Sequence, residues 1–143
     1  MKKVFVDANI ILDVVLARQK YYLESSNVID LAPSGVVEMY ATVLTFANAL
    51  YVSRPVLGKA NAIDTLEEIF KYFHIAPLGQ EEYEAATLMS RKDMEDDFQY
   101  CAAVSAGCDV LVTRNVKDFP RNDKIAIMQP GDFLNSLVED KQL

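Results

Sequence analysis

The stretch Lys3-Val4-Phe5-Val6-Asp7-Ala8-Asn9-Ile10-Ile11-Leu12-Asp13 changes its periodicity at Asp7. Lys3 to Val6 is a short β-rich run. From Asp7 to Ala17 the apolar residues recur at helical spacing, so the segment reads as strand, polar break, helix. The same alternation continues along the chain. Tyr22 to Leu31 carries a helical stripe that Pro33-Ser34-Gly35 stops, and Val36 to Thr42 reads as a second strand. Helices follow from Thr45 to near Pro55 and from Ala60 to Phe73, then a strand from His74 to Leu78. Glu81 to Ser90 and Asp96 to Ala106 are predicted helices, Asp109 to Thr113 and Ile125 to Met128 predicted strands, and Asp132 to Val138 a closing helix. About five strands alternating with helices call for an α/β fold whose parallel sheet is covered on both faces. No repeat, low-complexity run or Ser/Gly linker divides residues 1–143, which read as a single domain.

Composition removes several function classes. The 143 residues carry 14 Lys+Arg against 21 Asp+Glu, a net charge of −7, which argues against a broad basic surface for nucleic acid and leaves room only for a local basic rim. Apolar runs are far shorter than a bilayer span, and no basic-then-apolar leader opens the chain, so a soluble, cytoplasmic protein with no membrane partner is expected. Cys101 and Cys108 are seven apart and there is one His, too few ligands for a Cys/His zinc site; both thiols are expected to be buried. His74, in Tyr-Phe-His-Ile-Ala, reads as a packed core histidine. Any chemistry must therefore rest on carboxylates.

In a parallel α/β sheet, ligands sit beyond the carboxyl ends of the strands, where the strand order reverses. Asp7-Ala8-Asn9 follows the first strand; Thr113-Arg114-Asn115, with Asp118 shortly after, follows the fourth. Asp96 opens the helix leading into that strand, with Asp93, Glu95 and Asp97 around it. If the first and fourth strands adjoin, Asp7, Asp96 and Asn115 converge in one crevice, with Asp93 and Asp118 at its edge. Two carboxylates about 4 Å apart repel by about 4 kcal/mol at an effective dielectric near 20, so such a cluster takes up protons or holds a cation. Oxygen ligands without His or Cys favour Mg²⁺ or Mn²⁺. Plain structural roles compete with this reading: Asp96 with Gln99 fits a capping box, Asp7 a helix cap, and Asn115 with Asp118 an Asx turn. Asp93, Glu95 and Asp97 read as a solvated, charged helix approach rather than as three ligands, with Asp93, one helical turn from Asp96, the first of them to be a ligand.

Four segments, Val4 to Asp13, Thr45 to Tyr51, Asp93 to Tyr100 and Asp109 to Phe119, together resemble a PIN domain, the family that includes VapC-type toxin ribonucleases. A hydrophobic strand ending in Thr-Arg-Asn, with Asp-Phe shortly after, is the most specific of these signals. The resemblance implies a three-layer α/β/α fold with a central parallel sheet, a Mg²⁺- or Mn²⁺-dependent endoribonuclease acting on single-stranded RNA, a homodimer, and an antitoxin protein partner. It makes Asp7 and Asp96 catalytic metal ligands and Asn115 the fourth site residue, with Asp93 and Asp118 as further metal candidates. Asn9, Thr45, Asn48, Thr113 and Arg114 are the expected substrate contacts. One position departs from the pattern: Asn48 stands where the family usually places Glu, which lowers the expected metal affinity. Glu38, the nearest Glu in sequence, lies within a predicted strand.

That departure keeps a second class open, a PIN-fold nucleic-acid-binding or protein-interaction module with weak or no nuclease activity. A flavodoxin-like receiver or nucleotide-binding domain ranks last, because the chain has no Gly-rich phosphate loop. Lys117 and Arg121 are candidate phosphate contacts at the rim, and equally ordinary solvated surface. Phe46, Tyr51, Phe98 and Tyr100 have helical spacings that suit core or dimer packing better than base stacking.

Overall fold

The computed structural model describes residues 1–89, 92–121 and 124–141. Its elements in chain order are β1 (Lys2–Val6), α1 (Ala8–Val15), α2 (Tyr22–Ile29), α3 (Leu31–Ser34), β2 (Val37–Ala41), α4 (Val43–Leu57), α5 (Lys59–Phe70) and β3 (Phe73–Ile75). There follow α6 (Gln80–Thr87), α7 (Met94–Ser105), β4 (Val110–Val112), a 3₁₀ turn (Val116–Asp118), β5 (Ala126–Met128) and α8 (Pro130–Lys141). The five strands form one sheet in the order β3-β2-β1-β4-β5, every pair parallel. β1 is central, with Val4 opposite Met39 of β2 on one side and Val110 of β4 on the other.

Alternation along each strand divides the core in two. Val4, Val6, Met39, Val110 and Val112 pack with Ile10 and Ile11 of α1, Val28 of α2, Ala49 of α4, Leu66 of α5 and Phe133 of α8. Phe5 and Leu111 face the other way, onto Ala86 of α6 and Tyr100, Ala102 and Ala103 of α7. A sheet buried on both faces is the expected three-layer α/β/α arrangement. The chain runs from β1 outward through β2 to β3, then returns to the far side of β1 as β4. The reversal falls between β1 and β4.

Several boundaries shift for local reasons. α1 stops at Val15 because Ala17 adopts φ +47 and the Arg18 N–H returns to the Asp13 carbonyl at 3.0 Å, a Schellman-type closure. α4 runs through Pro55 to Leu57, and the Gly58 N–H still reaches the Arg54 carbonyl at 2.9 Å; the stop is Gly58, at φ +82 and ψ 151. Phe73 belongs to β3 rather than to the preceding helix. Ser90, the expected end of α6, lies outside the described residues. His74 sits exposed on the edge strand against Tyr40, ring centroids 5.1 Å apart, which corrects the expectation of a core histidine. Cys101 and Cys108 are free, buried thiols, and burial pushes the Cys108 thiol up to about 12. Among the described residues no helix is long and apolar enough to cross a membrane.

Candidate active site

β1 ends directly below the reversal point, and the next residue, Asp7, continues the ladder by donating its N–H to the Val112 carbonyl at 3.0 Å. Its carboxylate does not cap α1; Oδ2 accepts a 2.9 Å hydrogen bond from the Thr113 hydroxyl. The same Thr113 oxygen accepts from the Asn115 N–H at 3.0 Å. Thr113 thus fixes both the first and the fourth site positions. Being fully buried, it positions the site rather than touching substrate, which corrects the expected contact. Asn115 and Asp118 form a backbone turn, Asp118 N–H to Asn115 carbonyl at 3.0 Å, in place of a side-chain turn.

At the start of α7 the cap is Asp93, not Asp96. Asp93 Oδ1 accepts from the Asp96 N–H at 3.2 Å, and Asp96 occupies the third helical position with its side chain half-buried in the crevice. Gln99, the expected capping partner, is buried and serves α4. Its Oε1 accepts from the hydroxyls of Thr42 at 2.8 Å and Thr45 at 3.3 Å. Thr42 caps α4 in a reciprocal box with Thr45, a device whose loss typically costs about 1 kcal/mol. Thr45 is fully buried in that box, so it too is a structural residue and not the expected substrate contact.

These elements surround a cavity of about 380 Å³ at the reversal point, where Asp7, Asn9, Asn48, Asp93, Asp96, Asn115 and Asp118 meet, joined by Glu95, Gln99 and Tyr51. Burial raises the Asp7 carboxyl above its ordinary value, against the Thr113 hydroxyl, the Ala8 amide and the Arg114 charge. Asp96 is pushed up to about 7, first by desolvation, then by repulsion from Asp93, Asp7, Asp118 and Asp97. The crevice therefore holds more negative charge than it stabilises on its own. The donor set is oxygen only, which suits Mg²⁺ or Mn²⁺ in chemistry. Among the described residues, however, no three acidic, His or Cys side chains are already drawn into a ligating cluster.

Arg114 lies away from this cavity's lining. Its Nη2 donates to Asp13 Oδ1 at 3.1 Å, its Nε lies 3.1 Å from Oδ2 without hydrogen-bond alignment, and its guanidinium covers the Tyr21 ring at 3.8 Å. Asp13 is fully buried and also accepts from Ser25 Oγ at 2.8 Å and Arg18 Nη1 at 3.4 Å. Sequence reasoning missed Asp13, and it assigned Arg114 to substrate without this partner. Tyr51, expected at a core or dimer contact, is 77% exposed at the mouth of the crevice, which rules out the core. A second cavity, of about 620 Å³, lies alongside; Arg114, Lys117, Arg121, Gln129 and Asp132 line it, and it shares Asn115 and Asp118 with the first. Glu38 takes no part in either: it sits within β2 and accepts from the Tyr40 hydroxyl at 3.3 Å.

Carboxylates that meet at the point of strand reversal lie where parallel α/β folds place their ligands, with oxygen groups able to hold a cation. A family model of the PIN domain matches residues 3–117, and the chain belongs to that family. It is 28% identical over 137 residues to Ribonuclease VapC1 of Aquifex aeolicus (strain VF5), covering 92% of this chain and 93% of that protein. Its fold is similar to DNA-bound VapBC from Salmonella typhimurium, with TM-score 0.69 and 18% identity over 91% of this chain and 99% of that one. It is also similar to VapBC2 from Rickettsia felis bound to a promoter DNA fragment, with TM-score 0.66 and 17% identity over 87% of this chain and 96% of that one.

Proposed function

We propose that the chain is a divalent-metal-dependent endoribonuclease acting on single-stranded RNA, and that it is the toxin of a toxin–antitoxin pair. The observation that carries the reading is the convergence of Asp7, Asp93, Asp96 and Asp118 on one crevice, where burial first and the neighbouring carboxylates second raise Asp96 to about 7. Asp7 and Asp96 are the residues that would hold Mg²⁺ or Mn²⁺, with Asp93 and Asp118 at the edge. Such an ion, when bound, would supply Lewis-acid stabilisation of a phosphodiester and activate water. The chain's own residues supply the rest. Thr113 holds the Asp7 carboxylate in place, and Asn115 and Asn9 offer neutral hydrogen-bonding groups beside it.

Substrate affinity in so acidic a protein must come from a short basic track. Lys117 and Arg121 make no ion pair with a described residue and line the cavity that continues from the crevice across Asn115 and Asp118. A single strand laid from one cavity to the other places phosphates on these cations and a base on the exposed Tyr51 ring. The antitoxin assignment is supported by the likeness to VapC1 and to the VapBC structures; the family also suggests a homodimer.

Asn48, which removes one carboxylate from the usual set, favours a second reading, a non-catalytic RNA-binding or interaction module. Cleavage of single-stranded RNA with Mg²⁺ or Mn²⁺ separates the two. The endoribonuclease cleaves in metal, falls to background in EDTA, and falls to background as Asp7→Asn with an unchanged circular dichroism spectrum. Cleavage that survives Asp7→Asn, or none in any metal, refutes the assignment.

A further inference from the structure

Helices α4 and α7 are joined by two rungs. The inner one is buried, Thr45 with Thr42 on the Gln99 carbonyl oxygen. The outer one lies at the crevice mouth, where Asn48 Nδ2 donates to Glu95 Oε2 at 3.3 Å. Asn48 is three residues beyond Thr45 on α4, and Glu95 is four residues before Gln99 on α7, so each helix presents both of its members on one face. The inner rung sets the rotation of both helices, and that rotation brings Asn48 to Glu95. Both then line the same cavity as Asp7 and Asp96.

We propose that Glu95, oriented by Asn48, supplies the carboxylate that position 48 lacks, and serves as a metal-binding residue either directly or through one bound water. The proposal rests on the metal-dependent reading of the crevice and names a residue outside the set that resemblance transfers. An amide donor suits this role, because it orients the carboxylate by one oxygen and leaves the other for a cation. The pairing also explains why Glu is absent at position 48. A carboxylate there would stand against Glu95, like charge to like charge, so the crevice holds one Glu on α7 in place of one on α4.

Calorimetric titration of Mn²⁺ into the metal-free protein tests this, with the thermal midpoint of each variant confirming that it is folded. Glu95→Gln is expected to weaken Mn²⁺ binding by on the order of tenfold, in the range seen when a residue supporting a metal site is lost. Asn48→Glu in the Glu95→Gln background, which moves the carboxylate from α7 to α4, is expected to recover most of that loss, whereas Asn48→Glu alone gains less. Asp7→Asn is the reference. If it abolishes binding while Glu95→Gln binds as the wild type does, Glu95 is only a surface partner of Asn48 and the proposal is overturned with the metal site intact. If the wild type binds no Mn²⁺ at millimolar concentration, the metal reading falls and takes this proposal with it.

Discussion

Replacing Arg114 by Met should unsettle the whole domain, because its guanidinium compensates a carboxylate that water does not reach. Asp13 is fully buried, and Arg114 contributes one aligned hydrogen bond, a second close charge contact and the covering of Tyr21. Removing one partner of a buried ion pair typically costs about 3–5 kcal/mol, and stacking on an aromatic ring adds about 0.5–2 kcal/mol. Ser25 stays, and Arg18 stays at 3.4 Å from Asp13, so the lower end applies, about 3 kcal/mol. In a domain of this size each kcal/mol moves the thermal midpoint by about 2–4 °C, which gives a drop of about 6–12 °C. Differential scanning calorimetry measures it directly. A double-mutant cycle with Asp13→Asn should show coupling of about 1–3 kcal/mol, since the two side chains share one interaction. A midpoint within about 2 °C of wild type, or strictly additive losses, would refute the reasoning and return Arg114 to the role of an RNA contact.

Two further outcomes follow from other parts of the molecule. The raised Asp96 carboxyl binds a proton more tightly folded than unfolded, so its contribution is fully present below about 4 and is lost as pH rises through about 7. Asp96→Asn removes that loss. The variant's metal-free midpoint should therefore exceed the wild type's at pH 8, with the gap narrowing as pH falls and closing only below about 4, while its Mn²⁺ binding disappears; equal midpoints at pH 8 would count against the electrostatic strain assigned to the crevice. Gly58, at φ +82 and ψ 151, occupies a region nearly closed to other residues. Gly58→Ala should cost about 1–3 kcal/mol by urea denaturation although a methyl there meets nothing within 4 Å; an unchanged midpoint would show that the α4–α5 joint relaxes.

The architecture was legible because period alone distinguishes Val4 to Val6 from Ile10 to Leu12, and alternating elements leave few topologies. The meeting of Asp7, Asp96 and Asn115 was legible too, since each follows a strand or lies in the first turn of a helix at the end where parallel sheets place their ligands. What escaped reading depends on partners far apart in sequence. Asp13 looks like one more polar residue on α1 until Arg114, 101 residues later, is seen against it. Thr45 and Thr113 carry polar groups that suit a substrate, and only burial reveals that those groups are spent inside the fold. The cap at Asp93 rather than Asp96 shifts the helix start by three residues, and that shift releases Asp96 into the crevice. His74 was misjudged for the same reason: an aromatic at a regular position does not announce which face is covered.

The hydrogen bond from Thr113 to Asp7 spans 106 residues and joins the first strand to the fourth. During synthesis, therefore, Asp7 emerges early and waits: a chain halted anywhere before β4 holds the first carboxylate with nothing to fix it and no Asn115 or Asp118 beside it. The crevice therefore needs both ends of the chain, and a fragment that stops short of β4 lacks the Thr113 hydroxyl, Asn115 and Asp118.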